Sequence, residues 1–193
     1  ALRAAHPDAQ VEDMGDALLV PGFVDCHAHY PQTAIIASWG RRLIDWLNNY
    51  TFPEESRFGD GAYARTQAEL YLDLCLANGI TSACVFSTIH PESVDAIFEA
   101  AQARNMRLVT GKVMMDRNAI DGLKDTAQSG YDDSKALLEK WRGVGRLGYA
   151  VTPRFAPTSS PEQLEAAGAL WAEHPDCLMQ THLSEQPEEI AWV

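Results

Sequence analysis

From residue 18 onward, short apolar segments alternate with amphipathic ones, and this rhythm limits the folds open to the chain. Segments 18–29, 81–89, 107–115, 147–155 and 177–183 are rich in Val, Ile, Leu and aromatic residues and are short enough to be strands. Helix patterns lie between them. Residues 64–78 place Gln67, Leu70, Leu74 and Ala77 on one side, with Gly79 positioned to end the helix. After Pro91, residues Val94, Ile97, Phe98 and Ala101 form an apolar stripe. Ser160-Pro161-Glu162-Gln163 reads as an N-cap, a first-turn proline and a capping-box glutamine ahead of Leu164, Ala167 and Leu170. Residues 134–141 are a further amphipathic candidate. Such alternation predicts an α/β fold with parallel strands, each buried on both faces. Five units make either a doubly wound sheet or the first five strands of a (β/α)8 TIM-type barrel. No Gly-x-Gly-x-x-Gly or Walker sequence follows the first strand, which weakens a nucleotide-binding reading. Both architectures place chemistry at the carboxyl ends of the strands. His29, His90, Asp116, Arg154, His182 and Glu185 fall there.

One segment breaks the alternation. Residues 30–61 separate the first strand from the first helix and carry Trp39, Trp46, Tyr50 and Phe52. A connection this long usually has a function or a helix of its own, and Leu43-Ile44-Asp45-Trp46-Leu47 is the candidate helix. The segment reads as a lid or as a satellite hydrophobic cluster over the strand ends. The two are compatible, because a well-packed lid also excludes water.

The 193 residues suffice for one domain with a substantial core. Fifteen Lys+Arg against 27 Asp+Glu give a net charge of −12, with no basic run, which argues against nucleic acid or membrane partners. No apolar run reaches the roughly 18 residues needed to span a bilayer, and no signal-peptide pattern opens the chain. Cys26, Cys75, Cys84 and Cys177 are scattered, so free thiols in a reducing, cytoplasmic compartment are expected. The start at Ala1 and the end at Val193 look like cuts inside a longer protein.

The chemistry centres on His27 and His29, two residues apart at the end of an apolar run. Alternation along a strand points both imidazoles the same way, which makes half of a metal site. His182, after another apolar run, supplies a third nitrogen ligand, enough to hold zinc with an open position for water. Glu185, three residues on, is placed to carry a proton between water and a leaving group. Its alternative role is a solvated carboxylate in the first turn of a helix. Arg154 ends the fourth strand candidate and offers a planar fork of donors, or else an ion pair with an acidic residue. Phe155 offers a face for stacking, and the Gln32 amide matches a donor–acceptor pair on a heterocycle. His90 reads as a helix-start histidine, His6 and His174 as surface residues, and Lys112 as a structural partner.

Five stretches together resemble the amidohydrolase superfamily and, within it, the guanine deaminases. They are Pro21-Gly22-Phe23-Val24-Asp25-Cys26-His27-Ala28-His29-Tyr30-Pro31-Gln32, Trp46-Leu47-Asn48-Asn49-Tyr50-Thr51-Phe52-Pro53-Glu54-Glu55, Gly111-Lys112-Val113-Met114-Met115-Asp116, Val151-Thr152-Pro153-Arg154-Phe155 and Thr181-His182-Leu183-Ser184-Glu185. The resemblance implies a mononuclear zinc aminohydrolase converting guanine to xanthine and ammonia. It assigns His27, His29 and His182 to the metal, Glu185 to proton transfer, and Gln32, Arg154 and Phe155 to the purine. Cys26 stands where the family commonly has threonine. The family's barrel carries a further histidine after its sixth strand and an aspartate after its eighth, neither of which this sequence reaches.

The resemblance also implies a β-sandwich domain, to which residues 1–17 belong, with 18–193 as the N-terminal part of the barrel and 30–61 as its lid. A homodimer is implied for the full-length enzyme. Iron accepts the same ligands as zinc. Alternatives are a mononuclear deaminase of a pterin, cytosine or triazine-like ring, or a non-catalytic metal-binding fragment. A dinuclear centre is disfavoured, because the fourth strand ends in Arg154-Phe155 and not in a carboxylatable lysine.

Overall fold

The computed structural model describes residues 2–40 and 42–193, without the side chains of Ile44 and Glu188. Residues 2–22 hold the short helix α1 (Leu2–Ala5) and no strand. The β-sandwich piece expected over 1–17 is not seen; its first residue, Ala1, lies outside the described residues. A strand needs a neighbour for its N–H and C=O groups, and no described strand pairs with this segment. The first strand accordingly starts five residues later than expected, and Leu18 and Leu19 stay exposed.

Strand β1 (Phe23–His29) leads into the insertion, which is helical through most of its length. It contains a 3-10 turn (Tyr30–Ile35), α2 (Leu43–Trp46), a π-helical turn (Leu47–Thr51), α3 (Phe52–Glu55) and a second 3-10 turn (Ser56–Gly59). The βα units follow: α4 (Gly61–Ala77), β2 (Ile80–Phe86), α5 (Pro91–Ala103), β3 (Arg107–Thr110), β4 (Val113–Met114), α6 (Ala127–Trp141), β5 (Leu147–Pro153), α7 (Pro161–Glu173), β6 (Leu178–Met179) and α8 (Pro187–Trp192). Local chemistry sets the helix ends. Asp60 caps α4 by accepting from Ala62 N at 2.9 Å, and Gly79 leaves the helix at φ +78°. Ser160 caps α7 as expected. Helix α6 starts seven residues before the expected 134, at a capping box between Thr126 and Ser129. Its first turns are largely polar and carry no apolar stripe to announce them.

All strand pairs are parallel, in the order β1-β2-β3-β5-β4, with β6 on β5. Strands β3 and β4 run past β5 in unchanged register, interrupted only at Gly111-Lys112. There a Cβ on Gly111 would sit 1.8 Å from the Ala150 oxygen, and Lys112 N donates to Tyr149 Oη instead of to the ladder. Counted as one strand, β3/β4 makes every strand the neighbour of its predecessor. A doubly wound sheet reverses at a switch point; this order agrees with an arc of a barrel.

Burial on both faces holds for β5 and most of β3, is partial in β2, and fails at the sheet ends, where Phe23 is 60% and Leu178 53% exposed. Among the described residues, strands β1 and β6 each pair on one side only. The main core joins the sheet to α4, α5 and α6 through Leu72, Val85, Ile97, Phe98, Leu108 and Leu138. A second cluster sits over the strand ends, where Leu47 and Phe52 of the insertion meet Phe86, Val113, Met115 and Phe155. All four cysteines are free, and no described helix is long and apolar enough to cross a membrane.

Candidate active site

His27 and His29 reach the same site, but not by simple alternation. Asp25 pairs with Ala83 and Ala28 with Val85, so β1 carries one extra residue between them, opposite Cys84. A bulge of this kind re-aims side chains beside functional sites. The third imidazole, His182, follows β6. Its Nδ1 lies 2.8 Å from the Arg154 carbonyl oxygen, so Nδ1 carries the proton and Nε2 keeps its lone pair.

That Nε2 faces Nε2 of His29 at 3.0 Å, and one nitrogen from each of the three histidines falls within 4.8 Å of the others. Two ligands of a tetrahedral zinc at ~2.0–2.1 Å stand roughly 3.3 Å apart, so the donor set fits a metal ion. Phe86, at the end of β2, lies under the pair, stacked on His29 at 4.7 Å and tilted against His182 at 4.3 Å. Burial lowers the pKa of His29 well below its ordinary value, and the Arg154 charge adds to this. Burial lowers that of His182 too, against the opposing pull of its bond to the Arg154 carbonyl. Both effects favour the neutral imidazoles that metals bind.

One cavity of about 200 Å³ is lined by His27, His29, Gln32, Arg154, Phe155, His182 and Glu185, together with Leu43, Trp46 and Leu47 of the insertion. The seven residues that the resemblance assigns to metal, proton transfer and purine therefore line one cavity. Arg154 lines the cavity and forms the ion pair that was its alternative role, a buried two-point contact with Glu55 at 2.6 Å and 3.2 Å. Glu55 also accepts from Gln32 Nε2 at 3.1 Å. Glu185 departs from expectation, since it lies in the loop before α8 and not in a helical turn. Ser184 adopts φ +60° there, and the buried Glu189 carboxylate accepts from Ser184 N at 3.0 Å and Glu185 N at 2.7 Å.

Glu55, Phe86 and Glu189 are the site's unforeseen members. Glu55 stood within a quoted motif, yet nothing in the sequence told which of two adjacent acids meets Arg154. Other candidates are placed elsewhere. Asp116 accepts from Ser160 N and Oγ at 2.7 and 2.5 Å, at the start of α7. His90 is the residue before α5, as expected. His6 is exposed, whereas His174 is half-buried at the end of α7, where Arg142 meets its ring at 3.0 Å. Lys112 is structural, paired with Asp125.

The model of the amidohydrolase family matches residues 18–193, almost the whole chain. The chain belongs to the amidohydrolase family. It is 55% identical to the guanine deaminase of Escherichia coli over 97% of its own length and 43% of that protein's. The crystal structure of guanine deaminase from Bradyrhizobium japonicum superposes with a TM-score of 0.94 at 42% identity, covering 97% of this chain and 41% of that one. That of guanine deaminase from C. acetobutylicum, with guanine bound in the active site, gives 0.91 at 30% identity, covering 98% and 45%. This amidohydrolase chain thus spans about two fifths of the length of the relatives it matches.

Proposed function

We propose that the chain is the N-terminal, metal-bearing part of a zinc-dependent guanine deaminase. Residues 18–193 supply the first five units of a (β/α)8 barrel, 30–61 its lid, and 1–17 belong with a sandwich domain of the longer enzyme. The observation that carries the reading is the single cavity in which three imidazoles meet Glu185, Gln32, Arg154 and Phe155. His27, His29 and His182 hold the metal, and an all-imidazole set suits zinc. When bound, zinc lowers the pKa of water toward neutrality and supplies Lewis acidity.

The chain's own residues do the rest. Gln32 and Arg154 orient the purine, and Phe155 offers it a face. Arg154 donates to a ring carbonyl, which favours guanine over adenine. Water adds to the amino-bearing ring carbon while Glu185 takes its proton and delivers it to the adjacent ring nitrogen. A second proton passes from the new hydroxyl to the amino group, the carbon–nitrogen bond breaks, and xanthine and ammonia result. Leu43, Trp46 and Leu47 keep bulk water from the cavity. The unpaired thiols support cytoplasmic residence, and a homodimer is the assembly carried over with this reading.

The test is ammonia release by the complete protein from guanine, a pterin, cytosine and an aminotriazine. Turnover of guanine above the others is expected. Turnover of another ring without guanine contradicts the substrate, and bound metal without turnover of any ring contradicts the enzyme.

A further inference from the structure

Glu54 and Glu55 are adjacent but serve different partners. Glu54 is taken up by Arg57, at 2.9 Å, and by Tyr63. Glu55 is fully buried, and both of its oxygens are engaged at the cavity wall. Oε2 accepts from Arg154 Nη1 at 2.6 Å, while Oε1 accepts from Arg154 Nη2 at 3.2 Å and from Gln32 Nε2 at 3.1 Å. A carboxylate paired at two points with a guanidinium has only acceptors to offer. Gln32 must therefore turn its NH2 toward Glu55, which leaves its carbonyl oxygen for the cavity. Arg154 spends two N–H groups on Glu55 and keeps the others. The wall consequently holds an acceptor and a donor in fixed places.

We infer that Glu55 is a positioning residue that sets ring selectivity, admitting rings with an N–H beside a carbonyl and refusing rings with a bare nitrogen beside an amine. The inference rests on the deaminase reading of the cavity. Guanine carries the first edge. Its analogue 2,6-diaminopurine keeps the reacting amino group but presents the second edge, mismatched to Gln32 and to Arg154. Glu55→Gln is nearly isosteric but adds a donor, so the Gln32 amide can settle either way up and Arg154 loses one of its two acceptors.

The experiment measures kcat/KM of the complete, metal-loaded protein for guanine and for 2,6-diaminopurine, with equilibrium binding of the two products, xanthine and isoguanine. The unmodified protein is expected to prefer guanine by roughly a hundredfold or more, because unmatched buried polar groups reject the analogue. Glu55→Gln is expected to narrow that preference by about tenfold or more, chiefly through KM for guanine, with metal content unchanged. Glu55→Asp, which offers acceptors only, keeps the preference, as does Glu54→Gln. An undiminished preference in folded, metal-loaded Glu55→Gln overturns the inference. If that variant does not fold, Gln32→Met removes the oriented amide with the ion pair intact; a narrowed preference supports the inference and an unchanged one overturns it. A protein that binds xanthine over isoguanine yet releases no ammonia from guanine contradicts the deaminase reading and leaves the role of Glu55 standing.

Discussion

Nδ1 of His182 lies 2.8 Å from the backbone carbonyl oxygen of Arg154. The same oxygen accepts from the His182 backbone N–H at 3.0 Å and from Thr181 Oγ1 at 3.3 Å. One residue at the end of β5 thus orients a candidate metal ligand with its main chain and lines the cavity with its guanidinium. The three-imidazole cluster and the Arg154 guanidinium are tied through one residue's main chain.

Glu185 lines the cavity from a loop whose backbone N–H groups are held by Glu189. Glu185→Gln removes the proposed proton carrier and leaves the three imidazoles untouched. Metal content by elemental analysis should match the unmodified protein, while ammonia release falls by about a hundredfold or more. Near-normal turnover removes Glu185 from its role.

The pair of Lys112 and Asp125 is buried, with side chains 1% and 6% exposed, and Asp125 also accepts from Gln163 Nε2 at 2.6 Å and Met115 N at 3.1 Å. Asp125→Ala strands a buried ammonium, and a loss of about 3–5 kcal/mol is expected from urea unfolding. Adding Lys112→Met removes that charge and should recover part of the loss. A single variant as stable as the unmodified protein contradicts the buried pair.

His90 is half-buried just before α5, with Nε2 lacking a hydrogen-bond partner among the described residues, and burial lowers its pKa against the pull of Glu92, with Lys112 assisting. As pH drops below about 6.5, the unfolded chain takes up this proton before the folded chain does. The contribution of His90 to stability is therefore full above that value and is lost as pH falls toward the lower folded pKa. His90→Asn, which places a residue suited to the N-cap position and without a titrating ring there, should lose less stability between about pH 7.5 and about pH 5.5 than the unmodified protein. Equal losses in urea midpoint contradict the assignment.

Much of this was legible in the residues. Apolar runs located every strand, and Ser160-Pro161 and Gly79 marked helix ends because caps and left-handed terminators depend on local chemistry. Periodicity missed three features. It extended β1 back over Leu18 and Leu19, whose apolar character has no pairing strand to use. It could not foresee the bulge opposite Cys84, which comes from mismatched register with β2 and leaves no mark in composition. It also read β3 and β4 as unbroken, although Gly111 and Lys112 leave the ladder where the Ala150 carbonyl comes close. In the site, side chains that act through their own chemistry, such as His27, His182 and Arg154, were recognisable. Those acting through partners, such as Glu55 and Glu189, depended on contacts across 99 and a few positions of chain, respectively, which only the fold supplies.

The most direct test is metal-dependent ammonia release from guanine by the complete protein, before and after chelation, alongside His182→Ala. About one zinc per chain is expected, as a single three-imidazole site requires. Turnover should vanish on chelation, return on adding zinc, and be absent with reduced zinc in His182→Ala. Undiminished ammonia release from the metal-stripped protein, or a His182→Ala variant with full metal and full turnover, would contradict the three-histidine centre.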